Sequence, residues 1–136
     1  MLNVKAAGDL LAKLSNHATS VRGDFPLRGQ ASSGSVGAAL ITSAGAIHTG
    51  VCLDFACGLG FCAEHSAIAE MLKHRESEVT AIVAIGPDGV LAPCGRCREL
   101  LAQVSERNFD TLVALPGERI TTLRDLLPEH WLGEIR

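Results

Sequence analysis

The sequence contains very few aromatic residues and has no excess of basic charge. There is no Tyr, one Trp and four Phe, and the formal net charge is −3 at pH 7. Proteins that bind single-stranded nucleic acid stack the bases on aromatic side chains within positively charged grooves. Nucleic acid is therefore not an expected partner of this chain.

Long apolar runs and a basic leader are also missing. No stretch approaches the roughly 20 apolar residues that a membrane-spanning helix requires, and the N-terminus lacks the basic-then-apolar layout of a secretory signal. With 136 residues, 47% hydrophobic and 20% charged, the chain has the size and composition of one globular domain over residues 1–136. We expect a cytoplasmic protein without a membrane partner.

The cysteines are five in number, which is odd. A domain of this length needs no disulfide staples, and closely spaced thiols in a reducing compartment more often bind metal or react. Three of them lie in the segments Cys62-Ala63-Glu64 and Pro93-Cys94-Gly95-Arg96-Cys97. Cys62, Cys94 and Cys97 could give three thiolates to a Zn²⁺ ion that keeps its fourth position for water. Glu64 could then move protons on and off that water.

The order of helical and strand patterns predicts a three-layer α/β/α arrangement around a mixed sheet. Helices are predicted from the N-terminus to near residue 19 and over 61–73, 94–104 and 121–127. Strands are predicted over 36–42, 46–53, 79–85 and 111–115, with loops over 22–35 and 54–60. The run 79–85 is apolar on both faces, so we expect a central strand with parallel neighbours.

Both cysteine segments fall where a helix is predicted to begin. The partial positive charge of a helix N-terminus lowers the pKa of a cysteine and favours the thiolate that zinc requires. Cys94 and Cys97, three residues apart, share a helical face. Cys62 and Glu64 are two residues apart, so they can face one ion only in the first turn of their helix.

Two other kinds of site stay open at this point. A Cys-x-x-Cys pair between a strand and a helix is also typical of thioredoxin-like redox proteins, although that interpretation leaves Cys62-Ala63-Glu64 unexplained. Alternatively, Cys52 or Cys57 could complete a structural four-cysteine zinc site. The combination of Cys-x-Glu with Pro-Cys-x-x-Cys favours catalysis, because it matches the signature of zinc-dependent deaminases.

With these motifs the chain resembles the small cytidine deaminases of the all-cysteine, homotetrameric type, a family that includes the blasticidin S deaminases. The likeness runs through Val36-Gly37-Ala38-Ala39-Leu40, Thr49-Gly50, both cysteine segments with Arg98, and Leu126-Leu127-Pro128. It implies a cytidine deaminase-like fold, bound Zn²⁺, a homotetramer, and hydrolytic removal of the 4-amino group of a cytosine nucleoside as ammonia. Glu64 would carry the protons, and the backbone near Ala63 would help to hold the ring.

The substrate-binding positions depart from the family pattern. Relatives that act on free nucleosides hold the ribose with an Asn and a Glu, and the best-matching positions here are Cys52 and Asp54. Relatives have an aromatic residue two positions before the Val-Gly-Ala-Ala run, and this chain has Gly34 at that position. Trp131 lies where relatives place an aromatic that reaches into a neighbouring subunit's site, although it could equally pack the C-terminal helix.

These departures leave the substrate open. Cytidine, deoxycytidine and a modified nucleoside of the blasticidin S type all remain candidates. The alternative from another class is a non-catalytic module that zinc stabilises.

Three thiolates leave a zinc centre negatively charged, so nearby groups must hydrogen-bond the sulfurs. Relatives often have an arginine after the Cys-Ala-Glu motif, where this chain has His65. Arg96 and Arg98 are alternative cations, or else solvated charges on the helix surface. The remaining histidines show no ligand spacing and are interpreted as surface or packing residues; they are His17, His48, His74 and His130.

Overall fold

Seven strands form one mixed sheet in the computed structural model, which describes residues 2–134. The strands are β1 Phe25–Pro26, β2 Ser32–Thr42, β3 Ile47–Asp54, β4 Val79–Gly86, β5 Gly89–Leu91, β6 Leu112–Leu115 and β7 Arg119–Thr122. The helices are α1 Val4–Val21, α2 Ala63–Lys73, α3 Gly95–Val104 and α4 Leu123–Leu126, with 3₁₀ turns at Glu106–Asp110 and Leu132–Glu134.

The order of the strands confirms the predicted mixed sheet. The main path is β3-β2-β4-β6-β7, with the short β1 beside β2 and the short β5 beside β4. β4 is central, as predicted, but it is parallel only to β6 and antiparallel to β2 and β5. The expectation of parallel neighbours was therefore only partly right, because an apolar run reports burial on both faces and not the direction of the adjacent strands.

Helices cover both faces of the sheet, which confirms the three-layer prediction. On one face α1 places Leu11, Leu14 and Ala18 against a set of sheet residues that includes Ala39 and Val83. On the other face α2 and α3 pack against the alternate residues of the same strands; these are Ala38 and Leu40 of β2 and Ile82 and Ala84 of β4. The period of two along each strand thus supplies two separate apolar surfaces.

Two segments differ from their sequence prediction. The Gly- and Ser-rich stretch 22–35, predicted as a loop, contains β1 and the first residues of β2, because their backbones pair with neighbouring strands. β7 was missed, since the final helix was predicted from residue 121 and begins at Leu123. β7 pairs along the whole of β6, and tertiary pairing of this kind overrides a weak local pattern.

No helix within residues 2–134 combines the length and apolar character that a bilayer crossing demands.

Gly50 sets how closely α2 lies on the sheet. A side-chain carbon at position 50 would overlap the backbone nitrogen of Ala67 and the side chain of Ser66, both on α2. The missing side chain lets the helix sit directly on β3, and this contact fixes the helix whose first turn carries Glu64.

We expect Gly50→Ala to destabilise the protein by about 1–3 kcal/mol, the usual cost of adding a methyl group to a packed interior. Chemical denaturation measures the free energy of unfolding. Gly8→Ala is the matched control, because Gly8 lies inside α1 with open space around it; alanine there should be neutral or stabilising. Equal effects at the two positions would contradict the close approach at Gly50.

Candidate functional site

Two helices begin with a cysteine at the position where a capping side chain is usual. Cys62 is the N-cap of α2 and Cys94 is the N-cap of α3, and both have extended backbone angles. Neither side chain caps its own helix. Their sulfurs face each other instead, 3.3 Å apart. The N-termini of two helices, with their partial positive charges, therefore meet at one point.

Cys97 completes a cluster of three thiols. It lies in the first turn of α3, is fully buried, and has its sulfur 3.5 Å from that of Cys94. Its sulfur also lies within 4.8 Å of the sulfur of Cys62. Tetrahedral zinc with Zn–S bonds of about 2.3 Å requires sulfurs about 3.8 Å apart. The three sulfurs thus fit a zinc ion with only small adjustments.

The three thiols of this cluster differ in how readily they ionise. Burial, together with the hydrogen bond to Cys94, raises the pKa of Cys62 to about 11. Burial and the negative charge of Glu64 raise the pKa of Cys97. Burial also opposes ionisation of Cys94, but hydrogen bonds from the backbone N–H groups of Cys97 and Arg96 and from the other two thiols together outweigh it and hold the pKa of Cys94 below its ordinary value. A divalent cation between the sulfurs would favour all three thiolates, so the donor set fits zinc.

His65 is a further candidate ligand, on the side of Cys97. Its Nδ1 lies 3.4 Å from the Cys97 sulfur, and it forms a potential metal-binding group with Cys62 and Cys97. Burial, and then the positive charge of Arg96, lower the pKa of His65. The neutral ring carries one N–H, which can donate to the sulfur.

The two arginines of α3 have different surroundings. Arg96 lines the cavity described below. Arg98 donates from Nε to the carbonyl of Pro93 at 2.9 Å and from Nη1 to the carbonyl of Leu126 at 3.1 Å. Arg98 therefore ties the start of α3 to the end of α4 and does not serve the sulfurs.

Glu64 is a buried carboxyl in the first turn of α2, with only 5% of its surface exposed. Burial raises its pKa, and its own backbone N–H and the Cys97 thiol only partly oppose that shift. A carboxyl with a raised pKa is suited to accepting and returning a proton near neutral pH. The requirement that Cys62 and Glu64 share the first turn of one helix is met.

A cavity of about 500 Å³ opens in front of these residues. Cys62, Ala63, Glu64 and Cys94 all line it. Its other walls include Val36, Cys52, Asp54, Phe55, Phe61 and Leu91. This volume is in the range of small-molecule sites, and the mixture of apolar walls with a few polar groups is typical of them.

The predicted sugar-binding positions lie on one wall of the cavity. Cys52 is buried, and its sulfur accepts a hydrogen bond from the backbone N–H of Val36 at 3.3 Å. The hydroxyl of Ser35 lies 3.3 Å from this sulfur and 3.4 Å from a carboxylate oxygen of Asp54. The Cys52 side chain thus hydrogen-bonds to other residues of the cavity wall, whereas Asp54 is exposed.

Neither of the two further cysteines joins the thiol cluster. The sulfur of Cys52 is instead hydrogen-bonded by the backbone N–H of Val36 and lies beside the hydroxyl of Ser35. Cys57 is exposed in the loop before α2. A four-cysteine site built with either residue therefore finds no support.

Trp131 does not line the cavity of its own chain. It is 55% exposed, and its indole Nε1 donates to a carboxylate oxygen of Glu99 at 3.1 Å. Its contact with a neighbouring subunit stays a prediction.

Sequence reasoning missed the aromatic wall of the cavity. A side chain at Gly34 would overlap the carbonyl oxygen of Gly23, and Gly34 has a φ of +87°, so the family's aromatic residue cannot occupy this position. Phe55 and Phe61 supply the wall instead. Two of the four Phe residues fall within eight positions of Cys62; in a chain so poor in aromatics, that clustering is the signal that could have identified them.

Comparison with known families agrees with this geometry. The model of the cytidine and deoxycytidylate deaminase zinc-binding region matches residues 17–112. The matched segment carries the three clustered thiols, Glu64 and the walls of the cavity. The chain belongs to this deaminase family.

Individual relatives give the same result. Blasticidin-S deaminase of Bacillus cereus is 31% identical over 104 residues, which cover 68% of this chain and 74% of the relative. The crystal structure of cytidine deaminase from Mycobacterium tuberculosis matches with a TM-score of 0.74 and 28% identity, covering 89% of this chain and 96% of that one. Cytidine deaminase from Burkholderia pseudomallei matches with a TM-score of 0.71 and 30% identity, covering 88% and 98%.

Proposed function

We propose that this protein is a zinc-dependent hydrolytic deaminase that replaces the 4-amino group of a cytosine nucleoside with oxygen and releases ammonia. The observation that carries this proposal is the position of Glu64, a buried carboxyl with a raised pKa that faces a cavity of about 500 Å³ beside the thiol cluster. A structural zinc site requires neither a buried acid nor a substrate-sized cavity. Burying an ionisable group without a use for it is costly.

Cys62, Cys94 and Cys97 are the residues to which we assign the Zn²⁺ ion. Two of the sulfur–sulfur distances, 3.3 Å and 3.5 Å, are already close to those of a tetrahedral site. The chemistry that zinc supplies when bound is the activation of a water molecule at neutral pH. His65 is assigned the role of donating its N–H to the Cys97 sulfur, which would reduce the negative charge of the thiolates.

Glu64 is assigned the proton transfers. Its carboxylate would take one proton from the attacking water and deliver it to the ring nitrogen, and it would then carry the remaining proton of that oxygen to the departing amine. The water oxygen forms the new bond to C4 and the C4–N bond to the amine breaks, so the products are the uracil form and ammonia. Burial supports this role because it keeps the pKa of Glu64 raised.

The walls of the cavity are assigned the recognition of the nucleoside. Phe55, Phe61 and Leu91 offer apolar surface to the faces of the base. Asp54 is exposed at the wall and would accept a hydrogen bond from a sugar hydroxyl. Cys52 acts through the wall rather than on the substrate, since its sulfur is held by Val36 and Ser35.

The resemblance to the small cytidine deaminases also supports a single domain, a homotetramer and a cytoplasmic location. Large apolar side chains exposed on the isolated chain are consistent with assembly; Val4, Phe25, Leu59 and Trp131 are each more than half exposed. In such a tetramer Trp131 would reach a neighbouring subunit's cavity.

Glu64→Gln should lower kcat by at least about 10²-fold, the smallest contribution usual for a positioned acid–base group. Zinc content and the circular dichroism spectrum should not change, because glutamine keeps the shape of the side chain. Glu106→Gln, at an exposed position on a 3₁₀ turn, is the matched control and should retain full activity. Unchanged turnover in Glu64→Gln would remove Glu64 from the mechanism.

Zinc retention by variants distinguishes the ligand set Cys62, Cys94 and Cys97 from the alternative set in which His65 replaces Cys94. Cys94→Ala and Cys97→Ala should lose zinc during dialysis against a weak chelator, whereas His65→Ala should keep it. Cys57→Ala is the control for loss of an unrelated thiol. The zinc content per chain is measured by atomic emission. Loss of zinc from His65→Ala, with retention in Cys94→Ala, would instead assign the ion to Cys62, His65 and Cys97.

The substrate is tested by ammonia release from cytidine, deoxycytidine, free cytosine and blasticidin S. We expect turnover of at least one nucleoside, and for that substrate Asp54→Ala should raise KM about 10-fold or more, because a hydrogen bond to a charged group contributes about 1.5–3 kcal/mol. Asp9→Ala on α1, across the sheet, is the control. No turnover of any compound by the zinc-loaded protein would contradict the proposed activity.

A further inference from the structure

A second cluster of metal-ligating side chains lies at the other end of α2. His48 on β3 and Glu70 and His74 at the end of α2 each place a ligand atom within 4.8 Å of the other two. The ten residues from Glu64 to His74 span about 15 Å of helix. This cluster, which we call the His48 cluster, is therefore separate from the thiols.

His48 is held firmly in place. The residue is 7% exposed, and its Nε2 lies 3.3 Å from a carboxylate oxygen of Glu76. The turn that ends α2 brings Glu76 beside β3. In this turn Arg75 adopts a left-handed φ of 63°, and the backbone N–H of Glu76 donates to the carbonyl of Met71. A buried histidine whose ring is fixed by a carboxylate has the arrangement usual for metal-bound histidines.

His74 lies directly beside His48. The ring centroids are 5.1 Å apart, and Nδ1 of His74 is 3.0 Å from the backbone carbonyl of Glu70. Carbonyl and carboxylate oxygens can only accept hydrogen bonds. A neutral ring has one N–H for its oxygen partner and a second nitrogen that carries the lone pair a metal needs.

The charges around the cluster favour a cation. Glu70 places one oxygen 3.7 Å from His74, while its other oxygen pairs with Lys73 at 3.0 Å. Glu76 contributes a second carboxylate beside His48. The carbonyl end of α2 adds partial negative charge at the same place. The ammonium of Lys73, which pairs with Glu70, is largely exposed, so solvent screens its positive charge.

We propose that His48, Glu70 and His74 form a binding site for a divalent transition-metal ion. Two imidazoles with one carboxylate suit zinc, nickel, cobalt or copper, and they do not suit magnesium or calcium, which prefer oxygen ligands alone. The bound ion would fasten the C-terminal end of α2 to β3. It would thereby stabilise the helix whose first turn carries Cys62 and Glu64.

The test is calorimetric titration of Ni²⁺ into the zinc-loaded protein without an affinity tag. Zinc is limited to one equivalent per chain, which the three thiolates bind in preference to imidazole and carboxylate, so the His48 cluster is left for nickel. We expect one Ni²⁺ per chain and a higher melting temperature in its presence. His74→Ala should weaken nickel binding more than about tenfold. Removal of a residue that only hydrogen-bonds to a metal ligand already weakens binding by about tenfold, and removal of a ligand should weaken it further.

The controls make each outcome decisive. His74 is about half exposed, so its replacement leaves the core intact. His17→Ala removes an exposed histidine from α1 on the opposite face of the sheet and should bind nickel as the wild type does. Glu70→Gln should also weaken binding while it preserves the helix. Failure of the wild type to bind nickel, or equal binding by His74→Ala and wild type, would overturn the proposal.

Discussion

The meeting of two helix N-termini is the constraint on which the rest of the site depends. α2 and α3 follow different strands and their N-cap residues are thirty-two positions apart in the sequence, yet the N-cap sulfurs lie 3.3 Å apart. Neither Cys62 nor Cys94 caps its own helix, so each sulfur is available to the other and to Cys97. The sheet holds the two helices on one face, and Gly50 lets α2 approach β3 closely enough for Glu64 to reach the same point.

The electrostatics of the site follow from this meeting. Burial and mutual repulsion raise the pKa of Cys62 and Cys97, while backbone N–H groups at the start of α3 favour the thiolate of Cys94. A cation bound between the sulfurs would stabilise all three thiolates, and an N–H of His65 would reduce the negative charge of the sulfurs further. Glu64 keeps a raised pKa because it is buried beside them, and this leaves it able to exchange a proton.

Local sequence spacing predicted much of this arrangement. The positions of Cys62, Glu64, Cys94 and Cys97 at helix starts follow from short motifs, and the three layers follow from apolar periodicity. The directions of the strands beside β4, and the existence of β7, depend on backbone pairing between distant segments, which side-chain patterns report weakly. Similarly, His48 and His74 are twenty-six positions apart in the sequence, so no spacing rule brings these two histidines together.

The crowding at Gly34 has a consequence for how this cavity can change through evolution. Gly34 presses against the carbonyl oxygen of Gly23 with a left-handed backbone, so no single codon change there can introduce the ring that relatives carry. Remodelling of the segment around Gly23 would have to come first. In the loop that bears Phe55 and Phe61, Gly60 is confined in the same way by the carbonyl oxygen of Leu53, but residues 54–59 are exposed. Selection for a new nucleoside would act first on those exposed positions.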